Sequence, residues 1–172
     1  MITDNLFQNK KKDLKFEIEY VPKDDINDFP NIQSSWFDAV THRMMRISEI
    51  ELGLTHKKIW QAIIQNKIDE SVILDGDLDM SSDIDMLFEI LNSKHNLDCI
   101  YLHRVNLEDS VPEAISEIHP NLLIPNESLY KFGYMITLQG AILLYENFKN
   151  DDIVPISELI THMSGFDRLP NI

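Results

Sequence analysis

One cysteine, Cys99, in 172 residues excludes an internal disulfide framework and a thiolate zinc cluster, and it fits a reducing compartment. Glycine is scarce, with five in the chain, and none builds a Gly-rich phosphate loop, so Walker-type and dinucleotide-fingerprint enzymes are disfavoured. Basic residues are few: 15 Lys and Arg stand against 29 Asp and Glu, and the formal net charge of -14 repels nucleic-acid phosphates and anionic membranes. No window reaches the ~18 consecutive apolar residues that span a bilayer. The opening MITDNLFQNKKKDL lacks the apolar centre of a signal peptide. These absences point to a cytoplasmic chain with no membrane span and no nucleic-acid partner.

What is present suits a single core. With 44% hydrophobic residues, two Trp, eight Phe and five Tyr, the chain buries one domain's worth of apolar surface. Residues 1-14 form a polar tail carrying Lys10, Lys11 and Lys12, and residues 15-172 form the domain.

Along that domain, Phe16 to Tyr20 alternates with period two, as a half-buried strand does, until Pro22 ends it. After Thr55, a good N-cap, Ile59, Trp60, Ile63, Ile64 and Lys67 recur at helical spacing. Ser71 to Leu74 is a short buried strand, and Ser81 or Ser82 caps a helix carrying Ile84, Leu87, Phe88 and Leu91. Cys99 to Leu102 is another strand. Tyr130 to Thr137 leads into a helix with Leu138, Ala141, Ile142, Tyr145 and Phe148 on one face. Strands alternating with helices predict an α/β fold with a mostly parallel central sheet and helices on both faces.

In such sheets ligands bind beyond the carboxyl ends of the strands. There the stretch SVILDGDLDM sets Asp75, Asp77 and Asp79 two apart. Carboxylates are hard ligands suited to Mg²⁺ or Mn²⁺, and an Asp-x-Asp turn aims two of them at one ion. The plainer reading is a tight Asp75-Gly76 turn with solvated aspartates. A calcium loop of the EF-hand type is excluded, because Met80 replaces its glycine and Met86 its bidentate glutamate.

The stretch SEIELGLTHKKIWQAIIQNKIDESVILDGDLDM, residues 48-80, resembles a signature of glycosyltransferase family 25, which includes lipooligosaccharide biosynthesis enzymes and collagen galactosyltransferases. Glu49, Ile50, Leu54, Thr55, His56 and Trp60 fit the segment that usually reads G-E-I-G-C-x-L-S-H and then a helix with an aromatic. Ile73 to Asp77 stands where the acidic L-E-D-D is expected. WFDAV at 36-40 resembles F-x-A-V-D-G, and GYMITLQGAILLYE at 133-146 resembles the family's Tyr, Ser or Thr, Gly-Ala and Leu-rich helix.

The resemblance implies a GT-A-like nucleotide-diphospho-sugar transferase fold. It also implies a UDP-sugar donor, a divalent Mn²⁺ or Mg²⁺, and transfer to the hydroxyl of a glycan or protein acceptor. On it, Asp75 and Asp77 hold the metal and diphosphate with Asp79 as an outer ligand, and Lys23, His56, Tyr134 and Thr137 are candidates for contact with the nucleotide sugar. Glu158 is a weak catalytic candidate. The chain departs from the pattern in three places: Gly76 interrupts the acidic run, Lys23 is the one cation after the first strand, and Pro155-Ile156-Ser157-Glu158 has Ser where an Asp is usual. A catalytically silent relative serving as a binding or assembly module is the alternative. His56, after a capping Thr, is placed at a positive helix end. Trp60 is read as core. His42, His95, His103, His119 and His162 have no metal-ligand spacing.

Overall fold

The computed structural model describes residues 21, 22, 25, 34-39, 42-74, 98-106, 115, 128-148 and 153-165. The expected strand at 16-20, the helix at 81-91, and Lys23, Asp75, Asp77 and Asp79 lie outside the described residues.

A short antiparallel hairpin, β1 (Phe37–Asp38) and β2 (Arg43–Met44), precedes the helix α1 (Ile47–Asn66). Then follow β3 (Glu70–Leu74), β4 (Cys99–Asn106), β5 (Ser128–Thr137), α2 (Leu138–Asn147) and α3 (Ile156–Gly165). The result is a mixed α/β arrangement.

Helix α1 begins well before Thr55. The carboxylate of Glu49 accepts the Arg46 backbone N–H at 2.7 Å and takes both guanidinium nitrogens of Arg43 at 2.8 and 2.7 Å, so an acidic side chain in the first turn satisfies the helix start. The Arg43 hydrogen bond holds the Glu49 carboxyl below its usual range. Thr55, inside the helix, donates its hydroxyl to the Glu51 carbonyl at 2.8 Å. The helix ends at Lys67, whose φ of 52° is left-handed, with Ile68 N–H donating to Ile63 O at 3.1 Å in a Schellman-type closure. Relief of roughly 1 kcal/mol of left-handed strain, less about 0.5 kcal/mol of extra chain entropy, predicts that Lys67→Gly stabilises the fold by about 0.5 kcal/mol. A raised urea midpoint with an unchanged slope is the expected readout, and a lowered midpoint refutes it.

The three-stranded sheet has the order β3-β5-β4, and both pairings are antiparallel. The expected mostly parallel sheet is therefore corrected for the described residues. β3 and β4 do run the same way, but β5 enters between them in the opposite sense. Period-two alternation identifies a strand without specifying its neighbour.

Across the sheet, Ile73, Tyr134 and Tyr101 form one row and Ser71, Ile136 and Cys99 the next, all on one face. That face meets α1, α2 and α3 in the main core through Trp60, Ile63, Ala141, Leu144, Ile156 and Ile160. On α2, Gly140, Ala141 and Leu144 are buried, with Ile142 only half-buried. Met135, from the other face, is also buried, so β5 is a central strand covered on both sides. Gly53 lets α1 approach closely: a Cβ there would lie 3.0 Å from Ile153 Cγ2 and 3.2 Å from Phe148 Cζ.

Candidate functional site

The chemistry-bearing side chains that the structure brings together reach from α1 to Tyr134 of β5. His56 and Trp60, four residues apart, share one face of α1. Both reach the phenol of Tyr134, on the strand beside Ile73. His56 Nδ1 is 2.7 Å from the Tyr134 hydroxyl, and the Trp60 indole N–H donates to the same oxygen at 2.9 Å. The imidazole stacks on the phenol with centroids 5.6 Å apart and planes at 21°. Phe148 meets Trp60 edge-on at 5.9 Å, closing the far side of the indole.

Burial sets the protonation of this group. Removal from water disfavours the imidazolium and lowers the His56 pKa from 6.5 to about 4, so His56 is neutral at physiological pH. Burial also pushes the Tyr134 phenol up, so it stays an O–H donor. His56 keeps partial exposure, whereas Tyr134 is 1% exposed and Trp60 fully buried.

The helix-end argument for His56 is corrected. His56 lies in the middle of α1, because the cap is built by Arg46 and Glu49 rather than Thr55, so the positive pole of that helix is more than two turns away. Tyr134 presents no open surface and acts from behind His56. Thr137 is the N-cap of α2: its hydroxyl accepts the Gly140 N–H at 3.1 Å and donates to Asp98 Oδ1 at 3.2 Å. Glu158 is exposed in the first turn of α3, and no hydrogen bond joins it to His56, Tyr134 or Thr137 among the described residues. Trp60 is core, as expected, but its N–H also carries a polar role that hydrophobic periodicity does not report. The His56-x-x-x-Trp60 spacing is the signal that points to it.

β3 pairs with β5 so that Leu74 faces Gly133 and Ile73 faces Tyr134, and in the sequence Asp75 follows Leu74 directly. The His56–Tyr134 pair thus stands beside the strand that leads into the acidic stretch. Among the described residues there is no group of three or more His, Cys, Asp and Glu side chains that would hold a metal, and no helix long and apolar enough to cross a membrane.

No family model matches the chain. A Glycosyltransferase 25 family member of Drosophila melanogaster is 33% identical over 138 residues, covering 78% of this chain and 22% of that protein. Procollagen galactosyltransferase 1-B of Xenopus laevis is 26% identical over 138 residues, 77% of this chain and 22% of its own length. The Procollagen lysyl hydroxylase and glycosyltransferase of Acanthamoeba polyphaga mimivirus is 24% identical over 140 residues, 76% of this chain and 15% of its own. The chain therefore spans about a fifth of the length of the first two of these curated relatives. Over most of its own length, this chain is a relative of the glycosyltransferase 25 family.

Proposed function

We propose that the chain carries the donor side of a glycosyltransferase of GT-A type that moves a hexose from a UDP-sugar to a hydroxyl of a glycan or protein acceptor. The observation that supports this reading most is the match to relatives named as galactosyltransferases and glycosyltransferases across three-quarters of the chain, a stretch that includes β3 and the aspartates after it.

Charge supports a metal requirement. A protein with a net charge of -14 repels a diphosphate, and two unit charges 4 Å apart interact by about 4 kcal/mol at an effective dielectric of 20. Asp75 and Asp77, with Asp79 outside them, offer hard oxygens that suit Mn²⁺ or Mg²⁺, which would offset the diphosphate charge and stabilise the departing UDP. Lys23 adds a cation near the nucleotide, and His56 adds a neutral polar group beside β3. Thr137, through its cap, keeps the β5–α2 junction in place. Glu158 remains the weak candidate for general base.

Thermal unfolding with UDP, with and without Mn²⁺, tests the reading. At about 100 times the dissociation constant, bound ligand adds roughly 2.7 kcal/mol. The shift is expected only with both components and is expected to vanish in Asp77→Asn. A shift that survives this substitution places the site elsewhere. The departures from the family pattern, above all the lone Lys23 after the first strand and Ser157 in Pro155-Ile156-Ser157-Glu158, favour as second reading a silent module that keeps the fold. UDP release from a donor panel with Mn²⁺ separates the two, since a transferase hydrolyses donor slowly without acceptor and a silent module does not.

A further inference from the structure

The polar triad on α1 and β5 has a definite proton arrangement. An indole N–H only donates, so the Tyr134 oxygen accepts from Trp60 and is left with its own proton to place. The neighbour within reach is His56 Nδ1, at 2.7 Å. A Tyr134 O–H donating to Nδ1 satisfies all three groups, whereas the opposite tautomer directs two N–H groups at one oxygen and leaves the buried phenol proton without an acceptor. The ring proton then resides on Nε2. No partner for Nε2 is present among the described residues, while the residue retains partial exposure. A polar N–H in an otherwise enclosed ring calls for an acceptor.

We propose that Trp60 and Tyr134 are positioning residues that hold His56 neutral with its proton on Nε2, and that this N–H donates to a phosphate oxygen of the sugar donor. The second half rests on the function proposed above; the first does not. His56 stacks on the residue paired with Ile73, two positions before Asp75 in the chain, which sets the donor beside the strand that leads into the acidic stretch. A neutral donor suits this place, since it contributes directional hydrogen bonding with no dependence on pH around neutrality.

The test is a long-range proton–nitrogen spectrum of the full chain labelled at histidine nitrogens, with His56 assigned by its loss in His56→Gln. In the free protein, protonation of Nε2 alone is expected, and protonation of Nδ1 overturns the positioning role. Addition of UDP with diamagnetic Mg²⁺ is expected to move the Nε2 resonance; a UDP-dependent thermal shift without that movement overturns the contact. Failure of UDP to bind overturns the functional reading and the phosphate contact with it, and the tautomer is still decided by the first spectrum. His56→Ala is expected to weaken UDP binding by about tenfold or more, the loss of one hydrogen bond to a charged acceptor. Tyr134→Phe is expected to move the Nδ1 resonance to that of an unbonded ring nitrogen and to weaken UDP several-fold. A folded Tyr134→Phe that leaves both unchanged removes Tyr134 from the relay.

Discussion

Gly140→Ala is expected to lower the free energy of unfolding by on the order of 3 kcal/mol, the upper end of what overpacking usually costs. A Cβ at this position would fall inside van der Waals contact with the carbonyl oxygen of Asp98 and lie 3.0 Å from Ile136 Cγ1. The carbonyl has little freedom to retreat, because it accepts the Thr137 backbone N–H at 3.0 Å. Nor can the helix slide away, since Gly140 N–H is tied to the capping hydroxyl of Thr137 and Ala141 and Leu144 are fully buried. The gain in helix propensity from Gly to Ala, about 1 kcal/mol, is smaller than the clash and of opposite sign. Gly53→Ala serves as comparison, because there the obstacles are side chains, which have more room to adjust than a backbone oxygen. Urea unfolding of the two variants decides it: an unchanged midpoint for Gly140→Ala means that the β5–α2 junction is looser than the structure has it.

Acid is the second large lever. His56 titrates near 6.5 when unfolded and near 4 in the fold, so between these values the unfolded chain binds the extra proton. Stability is fully present above pH 6.5 and falls as the pH drops toward 4, by about 2 to 3 kcal/mol from this group alone. Glu49 acts in the same direction at lower pH: its carboxyl is held down chiefly by Arg43, and that contribution disappears as the carboxylate is protonated. Urea midpoints from pH 7.5 to 4.5 are expected to fall in the native chain, with a much shallower slope in His56→Gln. Equal slopes in the two proteins would show that the ring is not the group responsible.

Much of this architecture is readable from residue order alone, and the parts that are not share a cause. The stripe of Ile59, Trp60, Ile63 and Ile64, the short apolar runs at 71 and 99, and the strand that turns into a helix after Thr137 all appear where residue periodicity puts them. The helix starts before the expected position because Thr55, despite its cap chemistry, gives its hydroxyl to a carbonyl one turn back, while Glu49 with Arg43 and Arg46 does the capping. The direction of β5 departs from the expected mostly parallel sheet because alternation records burial of a face, and a reversed strand between two parallel ones leaves the same pattern. The role of Gly140 was invisible for a similar reason: it depends on a carbonyl 42 residues away in the chain. Of the candidate residues, His56 and Tyr134 meet, and Thr137 lies on the same strand as Tyr134 as a helix cap. The aspartates are candidates on chemistry and family likeness alone, and they lie outside the described residues.

The position of β5 between two strands made long before it has a consequence for biogenesis. As the nascent polypeptide leaves the ribosome, β3 and β4 emerge before β5, the strand that both of them pair with among the described residues, because it is translated last of the three. Their backbone groups must wait, solvated or held by a chaperone, until residues 128-137 arrive. A stalled or truncated product ending before that segment would expose two apolar strand edges at once, and aggregation rather than slow folding is its expected fate.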